Sequence, residues 1–273
     1  MECAMFPPAA LLPVVLLLLA ACGLADDPAD SSPPPTSTPG ATVQLLLDFD
    51  RIPAEFDTLL PEAENAGSAQ VRTEVSTAHS GRIRLAPDPQ GGGAARFPAY
   101  DGTEAAPVAA LLVWDATEGE LSPGERDFTF GATFALDELS EGADSDNGDN
   151  LVQRGLYADA QQLKIQVDHG VPSCRVAGAE GEVVAALPEP VPSDTWVTVT
   201  CTRVGREVTL EVRDATTGRR SGIVTETGRT GALDFPATTP FGIGAKVLAD
   251  GAVPTSASDQ FNGTLDEVFF DVR

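Results

Sequence analysis

The sequence predicts an all-β protein: a two-sheet antiparallel β-sandwich of the jelly-roll type. Three observations predict it. From Thr42 onward apolar and polar residues alternate with a period of two, clusters of Gly, Pro, Asp and Asn cut that alternation into short runs, and no stretch carries a long 3.6-residue period with caps. Each short strand offers one apolar face, and stacking two sheets hides those faces from water.

The predicted strands follow in order. Val43–Phe49 opens the folded part, and Ala109–Trp114 is an apolar run. Phe128–Leu136 places apolar residues at every second position, and Gln162–Asp168 sets Leu163, Ile165 and Val167 against polar neighbours. A shorter strand-like stretch runs from Pro172 to Ala177. Trp196–Val204 and Glu207–Asp214 meet at Val204-Gly205-Arg206-Glu207, a tight hairpin with one buried face. Phe241–Val247 and Thr264–Val272 complete the set.

Ahead of these strands lie two segments of different composition. Ala9 to Ala21 is an apolar run interrupted by Pro13, too short to span a bilayer as a helix and typical of the core of a secretory leader. It ends Leu19-Ala20-Ala21-Cys22, which resembles the bacterial lipobox. That resemblance implies cleavage before Cys22 and lipidation of its thiol. One departure is that Met1 to Pro8 contains no Lys or Arg, although leaders normally begin with positive charge. Residues 23–40 hold five prolines and almost no apolar side chains, so they are expected to form an extended stalk rather than fold. At about 3.1 Å per residue the stalk would reach roughly 50 Å. The expected organisation is residues 1–21 as leader, 22–41 as lipidated linker and 42–273 as one domain, anchored to the membrane by lipid on the extracytoplasmic side.

Net charge is −24, which argues against nucleic acid as a partner because no basic patch could gather its phosphates. Of the seventeen basic residues only Lys164 and Lys246 are lysines, a bias that fits GC-rich bacterial coding. Four cysteines are present. Cys3 leaves with the leader and Cys22 carries lipid, so Cys174 and Cys201 remain, and outside the cytosol they are expected to pair. The alternative is two buried free thiols.

At four places the chain resembles laminin-G-like, concanavalin A-like jelly rolls. Gly92-Gly-Ala-Ala-Arg-Phe97 is similar to an early strand of that family, and Asp127-Phe-Thr-Phe-Gly-Ala-Thr-Phe134 resembles a later one. Thr195-Trp196-Val-Thr-Val199-Thr-Cys-Thr-Arg203-Val-Gly205, with Val208 and Leu210, resembles the family hairpin. Phe261-Asn-Gly263-Thr-Leu265-Asp266-Glu267-Val268 resembles its closing strand. The resemblance covers nearly the whole chain after the stalk. It implies a domain that engages glycans or proteins, often with calcium, and it places Trp196 at a core-facing position. Two departures, Val197-Thr198 after the tryptophan and the turn Asp214 to Arg219, mean that loop-borne specificity does not carry over.

Fold alone does not decide function. A glycoside hydrolase needs two carboxylates about the scissile bond, and no strand here reads Glu-x-Asp-x-(x)-Glu. Asp266 and Glu267 are neighbours in a strand and are therefore expected to point to opposite faces. His169, between Asp168 and Gly170, reads as a turn residue. Enzymatic activity is thus not expected. The sequence favours a module that binds an extracellular glycan or protein, with a structural envelope component or, behind it, a glycoside hydrolase as alternatives. Trp114 and Tyr157 are the candidate sugar platforms, Trp114 being better suited to packing. For calcium, the oxygen-rich run Asp144-Ser-Asp146-Asn147-Gly-Asp149-Asn150 and Asp266 are the candidate ligands, against the alternative of a solvated turn.

Overall fold

The computed structural model describes residue 40 and residues 43–52, 55–103, 105–117, 119–137 and 148–273. Cys22, Asp144 and Asp146 therefore lie outside the described residues. In chain order the strands are β1 (Val43–Leu47), β2 (Val71–Ala78), β3 (Arg84–Pro87), β4 (Gly93–Arg96) and β5 (Val108–Asp115). Next come β6 (Phe128–Leu136), β7 (Asp149–Arg154), β8 (Gln162–Asp168), β9 (Val171–Gly178) and β10 (Gly181–Ala186). The last five are β11 (Val197–Val204), β12 (Glu207–Asp214), β13 (Arg220–Thr227), β14 (Phe241–Ile243) and β15 (Gly263–Val272).

All pairings between these strands are antiparallel, and they build two sheets. One runs β13-β12-β11-β6-β15-β4-β3, with β1 also on β15; the other runs β10-β9-β8-β7-β14-β5-β2. This is the two-sheet sandwich that the alternation predicts. Phe128–Leu136, Gln162–Asp168 and Glu207–Asp214 fall where expected, whereas Phe241–Val247 pairs only as far as Ile243. Both tight turns have the required chemistry. Gly205 takes φ +57° in the β11–β12 hairpin, and His169 and Gly170 take +49° and +77° between β8 and β9.

The core lies between the sheets. Phe128, Phe130, Phe134, Phe241, Phe261 and Phe270 are fully buried there, at about 1.5–3 kcal/mol each. Phe241 and Phe270 meet at 5.2 Å between ring centroids. Cys174 of β9 is bonded to Cys201 of β11, so the expected disulfide joins one sheet to the other through the core. Trp196 departs from the core-facing expectation. It lies one residue before β11, half-buried, while Val197, Val199 and Cys201 carry that strand into the core.

Candidate functional site

The outer face of the seven-stranded sheet is divided into two halves. On β5, alternation turns Val108, Ala110 and Leu112 outward, and leaving these apolar side chains in water would be costly. The segment after β14 covers them with Ala245, Val247 and Val253, and Trp114 packs against this second cluster. The indole Nε1 donates to Glu74 Oε1 at 2.8 Å, so Trp114 serves packing as its sequence context suggests. Backbone bonds hold the segment down: Gly244 N–H donates to Leu151 O, and Asn150 N–H to Asp259 O, at 3.1 and 2.9 Å. The Gln260 side chain adds to them, accepting from Ala109 N–H at 2.7 Å and donating to Gly244 O at 2.9 Å.

Across β7 to β10 the same face is open and polar. In β8, Leu163, Ile165 and Val167 enter the core, which turns Gln162, Lys164 and Gln166 outward. Register then aligns Gln153, Lys164, Arg175 and Val184 in one row across four strands. With the covered half as one wall, these residues line a groove of about 330 Å³. Lys246 and Asp259 form that wall. Asp259 is 2% exposed and accepts from Lys164 Nζ at 3.2 Å and from Lys246 Nζ at 3.1 Å. Lys246 also donates to Ala257 O at 2.5 Å. Burial lowers the Lys164 pKa, Asp259 opposes that shift, and Lys246 adds to it.

Tyr157 stands at the other side, in the loop between β7 and β8, with 76% of its surface exposed. The Arg175 guanidinium lies 4.6 Å from its ring centroid. Arg175 is held in turn by Glu182, at 2.7 Å from Nε, and by Gln162 Oε1. Gln153 and Gln162 are committed to the loop carbonyl of Gly155, at 2.7 and 3.1 Å. Gln166 and the Ser173 hydroxyl also line the groove, and among the described residues neither side chain makes a hydrogen bond. The groove therefore offers a partly stacked aromatic ring, an uncommitted amide, an uncommitted hydroxyl and ammonium donors.

Of the candidate calcium ligands, only Asp149 and Asp266 are among the described residues, and these two lie apart. Asp149 sits buried in β7 of the seven-stranded sheet, and Asp266 sits in β15 of the other. Among the described residues no group of three or more His, Cys, Asp or Glu side chains is placed to hold a metal ion. Asp266 instead marks an acidic pole on the eight-stranded sheet. The expectation that Asp266 and Glu267 point to opposite faces fails there, because β15 bulges between Asp266 and Phe269 with Glu267 at φ +46°. Asp266 pairs with Thr133, whose hydroxyl donates to Glu267 Oε2 at 3.1 Å, so both carboxylates share one face. Burial pushes the Asp266 pKa up to about 8; the Glu267 N–H opposes the shift, and Glu267, Asp88 and Asp50 add repulsion. Glu267 is raised as well, first by burial.

Of the site residues, Tyr157 is visible in the sequence as a candidate platform. Lys246 and Asp259 are not, because they reach the groove from a segment without periodicity. The available signal is rarity, since the two lysines that meet on Asp259 are the only lysines in the chain.

No family model matches this sequence, and no curated protein matches it. Solved structures share its fold. The binding domain of Paraclostridial Mosquitocidal Protein 1 superposes with a TM-score of 0.53 at 13% identity, over 84% of this chain and 49% of that one. Botulinum neurotoxin type C, whose cell entry depends on interaction with two ganglioside molecules, gives 0.53 at 10% identity, over 84% and 47%. The LG1-3 region of the laminin alpha2 chain aligns at 0.42 and 12% identity, over 76% and 32%. This chain thus spans about half the length of the two toxin chains.

Proposed function

We propose that the chain is a lipid-anchored extracytoplasmic protein whose sandwich binds a glycan, without chemistry, in the groove over β7 to β10. The observation that carries this reading is Tyr157. A large aromatic side chain is 76% exposed and braced by Arg175, beside polar groups that make no hydrogen bond among the described residues. Sugar rings present apolar C–H faces for a ring of this kind and hydroxyls for amides, ammoniums and Ser173. The ganglioside dependence of the botulinum neighbour is consistent with a glycan ligand at the level of shared fold. A hydrolase is disfavoured because, among the described residues, the one carboxylate lining the groove, Asp259, is engaged by two lysines, whereas glycoside cleavage uses an opposed pair.

A glycan array probed with the chain and with Tyr157→Ala tests the reading. The wild type is expected to capture a defined set of glycans, and the variant to lose about tenfold in affinity for them, as removal of a stacking ring would. Absence of any captured glycan would favour a structural envelope component. The anchor is tested separately: Cys22→Ala is expected to move the protein from membrane to soluble fractions, and retention of a processed product in the membrane would refute it.

A further inference from the structure

Resting on the glycan reading above, we propose that the groove selects acidic glycans, those bearing a monoanionic carboxylate or sulfate ester, through Lys164 and Lys246. The chain carries −24 overall, so an exposed carboxylate or sulfate would be repelled almost everywhere on its surface. The groove inverts that balance. Among the described residues its charged lining is Lys164, Lys246 and Arg175 against Asp259. Arg175 is neutralised by Glu182 outside the lining. One buried carboxylate then faces two ammoniums, which leaves a surplus of one positive charge. Asp168, further along β8, exerts the weakest attraction on Lys164, and His169 Nε2 lies 3.6 Å from it.

Donor counting gives the same answer. An ammonium has three N–H donors. Lys164 uses one, on Asp259, and Lys246 uses two, on Asp259 and Ala257 O. The side chains are 15% and 25% exposed, enough to meet a ligand yet shielded from full solvent screening. Asp259 orients both. It holds this position at φ +47°, two residues after Ala257 at +51°, a backbone course that L-residues other than Asn and Asp seldom take. With Tyr157 against the sugar ring, the remaining donors of Lys164 and Lys246 are placed to receive the one negative charge the groove lacks.

The test is titration of the full chain with three oligosaccharides of equal length, one neutral, one containing uronic acid and one O-sulfated, at low and high salt. At least one acidic ligand is expected to bind about tenfold more tightly than the neutral one, as a charge-assisted hydrogen bond would give, and added salt should narrow the difference. Lys164→Gln and Lys246→Gln should each shrink the acidic-to-neutral ratio, and Lys246→Arg should keep it. Asp259→Asn, a residue that tolerates the same backbone conformation, raises the surplus to two charges and should widen the ratio. Neutral binding with no acidic preference, or a preference unmoved by all these variants, overturns this inference and leaves the glycan reading standing. Absence of binding to all three overturns both.

Discussion

The two outer faces of the sandwich each hide a carboxylate, and they treat it in opposite ways. Asp259 beside the groove has two ammoniums within 3.2 Å. Asp266, 5% exposed on the other sheet, has no cation in an ion pair with it among the described residues; it has the Glu267 N–H at 2.7 Å and further carboxylates around it. Burial penalises charge in both places, but only the first site supplies compensating charge. The comparison teaches that in a strongly acidic chain the scarce cations gather on one buried carboxylate, while a buried acid without them has its pKa raised.

The largest expected effect tests how far the two faces depend on one another. Cys174 lies between Ser173 and Arg175, directly behind the groove floor, and its bond to Cys201 closes 27 residues. Replacing both cysteines with alanine should cost about 3.5 kcal/mol, or about ten degrees of melting temperature. Hydrogen exchange should quicken more in β8 and β9 than around Asp266. Equal loosening on both faces would mean that the disulfide does not support the groove in particular.

A second experiment uses pH. The folded-state pKa of Asp266 is raised from 3.8 to about 8, so the protonated carboxyl contributes stability fully below about pH 4, and that contribution is lost as pH rises through about 8. After relaxation and water entry its size should be about 2 kcal/mol. Denaturant unfolding across this range should show the slope in the wild type and a flatter one in Asp266→Asn. Calcium sharpens the measurement. A dication held at this pole favours the ionised carboxylates, so its stabilisation must grow with pH and vanish in Asp266→Asn. A shift that survives this variant and is lost in Asp146→Asn would locate the ion in the oxygen-rich loop instead.

The smallest effect on stability is expected in the groove itself. Gln166 makes no side-chain hydrogen bond within the described residues, so Gln166→Ala should change unfolding free energy by less than about 0.5 kcal/mol. The same substitution should weaken glycan capture. A large loss of stability would show that the amide is structural, and the contrast between the two faces would narrow.

Legibility of these features follows their locality. The outward row Gln162, Lys164 and Gln166 can be read from alternation alone, because β8 obeys a period of two. β13 cannot: Arg-Ser-Gly-Ile-Val-Thr-Glu-Thr is an edge strand, mostly exposed, with little apolar pattern to betray it. β7 is hidden for the opposite reason. Asp149, Asn150, Gln153 and Arg154 are all buried, although such residues usually mark a surface. The shared face of Asp266 and Glu267 depends on a bulge, and a single inserted residue overrides alternation without leaving a compositional trace. The meeting of Lys164 with Lys246 depends on contacts across the fold, so composition could show their rarity but not their proximity.

The position of β15 has a consequence for the order of assembly. Along one edge it pairs with β6; along the other it pairs first with β4 and then with β1, where Val43 faces Val272. The last strand is thus an interior member of its sheet, and three strands made earlier have no lateral partner there until it arrives. Contacts spanning more than a hundred residues close late, since loop-closure entropy must be met before they give any return. A ribosome or a translocation channel delivering the chain from its N-terminus would hold β1, β4 and β6 with unpaired edges until β15 emerges. This sandwich is therefore expected to close only once β15 has been delivered, and to need protection from aggregation until then.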